Sequence, residues 1–360
     1  MSRFHKIHLP KMGNNAMNQA NETILRAVIE KAKTLGDDAP ALIGIYGSAA
    51  TGDTHGKSDL DLLIPACGES ARRLAAAFIL DDPGVGYDIY CADPSSLLAD
   101  AQCRHAHLSR LLDAKIVFIR DEEAFRRFCE LQEQARRILA SSERFDRVYE
   151  LEEKAKAAFA DACLCEGLGQ VRLHVFGVMH CLMDAAMLFH GTYFRLGTKR
   201  ALEELSALPV DPAFPAMLQA AAAAKTAGEL RGIARDLLLY ARAHFHAPKE
   251  KAAPSCSLAG TYEEMYSNWR NKVEEAAKNG DIFSSFVNMC SMQYMLNAIC
   301  SETGIGTDSL LEAYDPARLE HNTLLLDACL QKYESVYRAA GISINRFADA
   351  EAFAADYLRK

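Results

Sequence analysis

Two aspartates separated by a single leucine follow a turn-rich loop near the start of the chain. A loop of ten residues separates Gly47-Ser48 from Asp59 and Asp61. Apolar runs lie on both sides of this segment, and short apolar runs bounded by Gly and Pro are typical of buried strands. Because side chains alternate between the faces of a strand, the two carboxylates are predicted to point the same way.

Carboxylates held side by side repel each other, and a divalent cation between them removes that cost. Their hard oxygen ligands suit Mg²⁺. The two aspartates therefore predict a magnesium site.

This pattern resembles the nucleotidyltransferase superfamily, which shares the fold of DNA polymerase β. The family signature is Gly-Ser, a loop of similar length, acid-apolar-acid, and a third acid on a later strand. The third acid is best matched by Asp88, the single acid in the apolar run from Val85 to Cys91, and Asp93 is the competing choice. The segment from Tyr46 to Ile64 is most similar to the aminoglycoside and lincosamide nucleotidyltransferases, and the likeness covers about the first 120 residues. In one departure, Ala49, Ala50 and Thr51 stand where many relatives carry an arginine.

The resemblance implies a reaction and a division of roles. A nucleoside monophosphate would pass from a triphosphate, with ATP expected, to a hydroxyl of a small acceptor such as an antibiotic, releasing pyrophosphate. Two Mg²⁺ ions are expected, with Asp59 and Asp61 as ligands. Asp88 is expected to hold the catalytic ion, to accept the hydroxyl proton, or both.

The resemblance also implies a set of nucleotide-binding residues. The Gly47 amide and the Ser48 hydroxyl would hold the β- and γ-phosphates, where glycine allows close approach. Lys57 would reach the triphosphate, or is a solvated loop lysine. Ser58 would orient the aspartate that follows it.

A second cationic segment, Tyr193 to Arg200, follows an apolar helix. It is similar to a segment near the cleft in the helical domains of small-molecule nucleotidyltransferases. Lys199 and Arg200 are therefore candidate nucleotide or acceptor contacts, and a helix end with solvated cations is the alternative.

The histidines predict no metal site. His105 and His107 lack a third ligand at metal-binding spacing, which favours positions at the surface or at helix ends. His174 and His180 are six residues apart, which favours roles within a helical bundle.

Composition narrows the classes of protein. The 360 residues are 50% hydrophobic and carry a net charge of −8, which is ordinary for a globular protein and argues against a nucleic-acid partner. Eleven cysteines without a Cys-x-x-Cys pair and a polar N-terminus predict reduced thiols in the cytoplasm. The most apolar segment, Val175 to Phe189, is interrupted by His180 and Asp184, so no membrane span is expected.

The patterning predicts an α+β protein. Residues 1–121 should form a nucleotidyltransferase domain, a small mixed sheet with flanking helices in the order α-β-β-α-β-α-β, with helices over 69–80 and 100–112. Residues 122–360 should form an all-α helical-bundle domain, because seven long amphipathic patterns replace the strand signals. A Pro- and Lys-containing stretch predicts a subdivision near 247–258.

Two other functions are compatible with the same motifs. One is a catalytically silent nucleotide-binding or interaction module, which the missing arginine favours. The other is an enzyme that transfers AMP to protein side chains, although such proteins are usually shorter. The resemblance is also compatible with a homodimer, since small-molecule relatives sometimes share a site across two copies.

Overall fold

The computed structural model describes residues 19–36, 39–52, 58–82, 84–246, 258–303 and 309–359. Contacts divide the chain into two units, Met1–Ala247 and Pro248–Lys360. The predicted subdivision near 247–258 falls outside the described residues except for Leu258. The boundary proposed at residue 121 stays a prediction.

The first unit begins with a helix on a small sheet. Buried side chains of α1 (Gln19–Thr34) recur on one face and pack against the sheet. Five strands and four short helices follow: β1 (Leu42–Tyr46), α2 (Gly47–Thr51), β2 (Asp61–Leu63), α3 (Gly68–Leu74), β3 (Ala76–Leu80), β4 (Val85–Ile89), α4 (Pro94–Ala101), α5 (Ser109–Leu112) and β5 (Lys115–Ile119).

Strand β1 lies at the centre of a three-stranded antiparallel sheet, in the order β2-β1-β5. Its pairing with β2 places Tyr46 opposite Asp61. The sheet has two apolar faces, because Ile45 and Leu62 pack with α1 while Leu63 packs with the helices that follow the sheet. The polar residues at the start of β2 therefore lie at the edge of a sheet that is covered on both sides.

Strands β3 and β4 form a separate antiparallel hairpin. The prediction of a helix over 69–80 is wrong beyond Leu74, because Phe78 and its neighbours pair residue by residue with β4 and the Phe78 ring stacks on Tyr87. A single parallel bridge, between Pro65 and Ala92, joins the hairpin to the chain after β2. The predicted mixed sheet is thus two antiparallel sheets linked by one parallel bridge.

The predicted helix over 100–112 is also wrong in part. Helix α4 ends at Ala101, and α5 covers only Ser109–Leu112. Between them Cys103 adopts a positive φ of 51°, which a continuous helix does not allow. The segment 102–108 is therefore an irregular loop between the two helices.

After β5, the described part of the first unit is helical apart from connecting segments. The six α-helices are α6 (Glu122–Ala140), α7 (Glu143–Leu164), α8 (Leu168–Phe189), α9 (Ala201–Ser206), α10 (Ala213–Ala223) and α11 (Ala227–His244). Helix α8 packs along α7 and α11, and all three contribute to one apolar core that reaches Leu63 of the sheet. Capping side chains mark two of the starts: Asp121 accepts from the Glu123 amide, and Thr226 forms a capping box with Glu229.

Helix α8 is long and apolar enough to cross a membrane by length and composition. Half of its most apolar window is buried inside the protein, and core helices of soluble proteins meet the same criterion.

The described residues of the second unit form helices joined by loops and turns. It contains α12 (Thr261–Met265), a π-helical turn (Tyr266–Arg270), α13 (Asn271–Asn279), α14 (Ile282–Thr303), α15 (Leu319–Ala339) and α16 (Ala350–Tyr357). Its core includes Met292, Leu326 and Tyr337. The two small antiparallel sheets followed by a mostly helical region confirm the predicted α+β class.

Candidate active site

Gly47 begins the short helix α2 directly after β1, and its backbone is left-handed with φ +64°. A Cβ added there would overlap the Asp61 side chain, with 2.9 Å to its Cγ. A side chain at residue 47 is thus excluded both by conformation and by space. Half-buried Ser48 follows, and its carbonyl accepts the Gly52 amide at 2.9 Å.

Asp61 and Asp59 form a pair of neighbouring acids in this part of the structure. The pKa of Asp61 is raised to about 6, first by burial and then by the negative charge of Asp59. Asp59 itself is exposed. A paired acid that holds its proton in this way is a position where a bound cation would restore the ionised form.

Buried neighbours fix the direction in which these aspartates point. Leu60 and Leu62 pack with the core under α1, as does Tyr87 of β4. The phenolic hydroxyl of Tyr87 donates to Asn21 Oδ1 at 2.7 Å, and the Asn21 amide reaches the Asp59 carbonyl at 3.4 Å. Because faces alternate along each strand, Asp59 and Asp61 point away from that core. Ser58, which precedes them, is buried.

Asp88 is the exposed acid of β4. The residues on either side of it, Tyr87 and Ile89, are buried, while Asp88 is exposed. A parallel bridge between Pro65 and Ala92 connects the chain after β2 with the chain after β4. Within the described residues, the three carboxylates do not form a tight three-ligand group, and their joint role stays a prediction.

Asp93, the alternative third acid, has a structural role. It caps helix α4, and its Oδ1 accepts the Ser95 amide at 2.8 Å. These hydrogen bonds hold the Asp93 pKa below its usual range. The capping contact accounts for this aspartate without a catalytic role.

Residues 25–103 match the family model of the nucleotidyltransferase domain. The match supports the predicted resemblance to the nucleotidyltransferase superfamily. The matched range contains Gly47, Ser48 and the three aspartates, and it ends in the loop after α4. Comparison with curated proteins gave no match.

Beside these acids lies an ion pair that the sequence patterns did not indicate. Arg110 binds the fully buried Asp100 through two hydrogen bonds, of 2.6 and 2.9 Å. His105 Nε2 lies 3.1 Å from the same carboxylate. Burial raises the Asp100 pKa, but the hydrogen bonds from His105 and Arg110 outweigh it and hold that pKa below its usual range.

The charges of both this ion pair and the Asp59–Asp61 pair act on the Tyr46 hydroxyl. Its pKa is raised to about 12, mainly by burial and next by the charge of Asp61, while Arg110 acts in the opposite direction. The Tyr46 hydroxyl therefore remains protonated at neutral pH. In the sequence, the one available signal was Asp100, a lone acid between the apolar residues of a helix.

A cation also reaches the end of helix α2. Lys115, opposite Ile45 in the sheet, extends its Nζ to the Ala50 carbonyl at 2.6 Å. This places a positive charge beside the helix that starts at Gly47. Lys57, the cation predicted from the loop, lies outside the described residues.

The cationic segment 193–200 is anchored to the loop that leads into β5. Tyr193 donates to Asp113 Oδ1 at 2.9 Å, and Arg195 pairs with the same carboxylate at 3.2 Å. Arg200 forms an ion pair with Glu203 one turn later, while Lys199 is exposed. The segment thus contacts the loop that leads into β5, and nucleotide contact by Lys199 or Arg200 stays a prediction.

Proposed function

We propose that the protein transfers a nucleoside monophosphate from a nucleoside triphosphate, ATP in the first instance, to a hydroxyl of a small acceptor molecule. The match to the nucleotidyltransferase domain supports monophosphate transfer in general. The observation that carries the proposal is the Asp61 carboxyl, raised to a pKa of about 6 beside Asp59 and directly under Gly47.

Mg²⁺ fits these residues. Oxygen donors from Asp59 and Asp61 suit a hard cation, and the partly protonated state of Asp61 is the state that such a cation would relieve. Asp88, exposed on β4, would complete the set for a second ion. Bound there, Mg²⁺ would neutralise phosphate charge and align the reacting groups.

The chain's own residues would hold the donor. The Gly47 amide and the Ser48 hydroxyl would donate hydrogen bonds to phosphate oxygens, next to the Asp61 carboxyl that occupies the side-chain position of Gly47. We assign Lys115 as an additional cation for the triphosphate, in the role that relatives give to the arginine missing here. It would have to give up its contact with the Ala50 carbonyl or share it.

In the reaction, the acceptor oxygen forms a bond to the α-phosphorus, and the bond from that phosphorus to the bridging oxygen breaks. The electron pair leaves with pyrophosphate, and Asp88 takes up the hydroxyl proton. Charge neutralisation and in-line alignment supply most of the rate in phosphoryl transfer. The helical region would form the acceptor wall, and acceptors of the aminoglycoside and lincosamide class are the first to test.

A reducing compartment suits this proposal. All ten cysteines within the described residues are free thiols, and we place the protein in the cytoplasm, where nucleoside triphosphates are available. We propose no nucleic-acid partner, because the net charge is −8.

Release of pyrophosphate in the presence of a panel of acceptors and each of the four triphosphates tests the proposal. Asp59→Asn should reduce the rate by several orders of magnitude. Asp82→Asn is the matched control, since Asp82 is an exposed acid at the hairpin turn of the same domain. Turnover that Asp59→Asn leaves unchanged would contradict the proposed site.

A silent nucleotide-binding module is the second candidate, favoured by Ala49, Ala50 and Thr51 at the position of the missing arginine. Such a module would bind nucleotide and release no pyrophosphate with any acceptor, small molecule or protein. Transfer of labelled AMP to a protein would instead favour the protein-modifying alternative.

A further inference from the structure

A second group of metal-ligand side chains lies away from the three aspartates of the proposed active site. His107 belongs to the loop between α4 and α5, while His180 and Asp184 stand one turn apart on α8. Each offers one ligand atom, and these three atoms lie within 4.8 Å of one another. The expectation that His107 lacks further ligands is therefore wrong, because the fold brings its loop to the helix.

Asp184 makes this cluster unusual. It is only 1% exposed, and its Oδ1 has no hydrogen-bond partner. Burial raises the Asp184 pKa even though His107, His180 and His105 act to lower it. A buried carboxylate oxygen without a partner is costly, and cation coordination is one of the few ways to satisfy it.

A ring nitrogen of His107 also lacks a hydrogen bond. His107 Nε2 is buried and lacks a hydrogen bond, and it lies 3.5 Å from Asp184 Oδ1. In a tetrahedral zinc site with bonds of about 2.1 Å, neighbouring ligand atoms are separated by roughly 3.4 Å. The two unsatisfied atoms thus already have the separation of two ligands of one ion.

The rings are held in place by stacking. The His107 ring stacks between His180 and Phe194, with centroid separations of 5.2 and 5.0 Å. The Phe194 amide donates to the Ala106 carbonyl at 2.9 Å, which fixes the loop next to His107. His180 is exposed, so the cluster opens to solvent on one side, where water could complete the coordination.

We propose that His107, His180 and Asp184 bind one transition-metal ion, of which Zn²⁺ is the best fit, and that the ion ties the loop 102–108 to helix α8. Two imidazoles with one carboxylate favour a borderline metal over Mg²⁺. The site is separate in residues and in chemistry from the aspartate site, so it stands whether or not the proposed transfer reaction is correct.

The ion would also support the neighbouring ion pair. The same loop carries His105, which contacts Asp100, and Asp100 in turn holds Arg110 beside Tyr46. Metal binding would stabilise the loop that positions these groups. The expected role is structural, and occupancy should appear first in the stability of the fold.

Co²⁺ titration of the metal-stripped full-length protein tests the proposal. Asp59→Asn/Asp61→Asn serves as the background, which removes the acidic pair as a competing site. We expect one equivalent of Co²⁺ with visible absorption bands of a low-coordinate nitrogen and oxygen site, displaced by Zn²⁺, and a rise in melting temperature. His180→Gln should weaken binding by at least the roughly 10–100-fold that losing an outer-shell partner costs.

His174→Gln is the matched control, because His174 lies on the same helix and faces Asp161 instead. It should bind Co²⁺ like the parent protein. Since His180 is exposed, His180→Gln should melt at the parent temperature in EDTA, which separates lost binding from lost folding.

Three results would overturn the proposal. They are no stoichiometric Co²⁺ binding, equal binding by His180→Gln and the parent, and an ultraviolet thiolate-to-metal band, which would identify cysteine ligands instead.

Discussion

Gly47 and Asp61 fit together so closely that a methyl group on the glycine would overlap the aspartate carboxyl. Gly47 follows β1 and Asp61 begins β2, and the residue before Gly47 pairs with Asp61 across the sheet. The contact therefore joins the loop proposed to hold phosphate to the acid proposed to hold the metal. A substitution at either residue should disturb both.

Gly47→Ala should abolish most nucleotide binding. The methyl group would push the Asp61 carboxyl out of place, so we expect nucleotide affinity to fall by roughly 100-fold, the scale of removing one preorganised donor. Gly68→Ala is the control, since Gly68 has nearly the same φ of +63° but nothing within 4 Å of an added Cβ. Both variants should lose about 1–2 kcal/mol of stability to left-handed strain. Equal nucleotide affinity in the two variants, measured by calorimetry, would contradict this account.

In the metal-free protein, the contribution of Asp61 to stability should fall as the pH rises from 3.8 to about 6, because the folded state holds the Asp61 proton more tightly than the unfolded chain does. Below pH 3.8 the group is protonated in both states, and above pH 6 the loss is complete. Asp61→Asn removes this titration and should raise the free energy of unfolding at neutral pH by about 1–2 kcal/mol, after allowance for solvent screening.

Urea denaturation in EDTA across this pH range measures the effect. Mg²⁺ should then stabilise the wild-type protein at neutral pH but not at acid pH, and should stabilise Asp61→Asn much less. A variant that is no more stable than wild type in EDTA at neutral pH would show that Asp61 is not destabilised in the fold.

Substitutions of the two candidates for the third acid should differ in their effects on stability and turnover. Asp88 is exposed and makes no capping contact, so Asp88→Ala should leave stability nearly unchanged and reduce turnover strongly. Asp93→Ala removes the cap of α4 and should lower the urea midpoint while the folded enzyme keeps its activity. Comparison of pyrophosphate release with urea midpoints checks both, and the reverse pattern would assign the catalytic role to Asp93.

The Asp100–Arg110 pair should be a large contributor to stability. Asp100→Ala leaves Arg110 without its partner in a mostly buried place, for which we expect a loss of about 3–5 kcal/mol. Glu123→Ala, which breaks an exposed pair with Arg126 and Arg127, should leave the urea midpoint nearly unchanged. Similar urea midpoints for the two variants would show that the buried pair is not important for the fold.

Local patterns predicted the parts of the site that are close in sequence. The alternation around Asp59 and Asp61, and the lone acid of β4, follow from strand periodicity, which depends only on neighbours. The long helices were predicted for the same reason. Strand β3 was not, because its apolar residues have helical spacing and its strand conformation depends on pairing with β4.

Contacts between distant parts of the chain escaped prediction. The one-turn spacing of His180 and Asp184 is visible in the sequence, but nothing local shows that the loop carrying His107 folds onto their helix. Lys115 likewise reaches Ala50 only because β5 pairs with β1. Both cases depend on tertiary packing, which periodicity does not encode.

Nucleotide binding with and without metal tests the central claim most directly. Calorimetry with ATP, GTP, CTP and UTP, in Mg²⁺ and in EDTA, would be run on the wild type, Asp59→Asn/Asp61→Asn and the Asp82→Asn control. We predict Mg²⁺-dependent binding of at least one triphosphate by the wild type and the control, and its loss in the double variant. Triphosphate binding that is equally strong in EDTA, or unchanged in the double variant, would contradict the proposal that these aspartates form the metal-dependent nucleotide site.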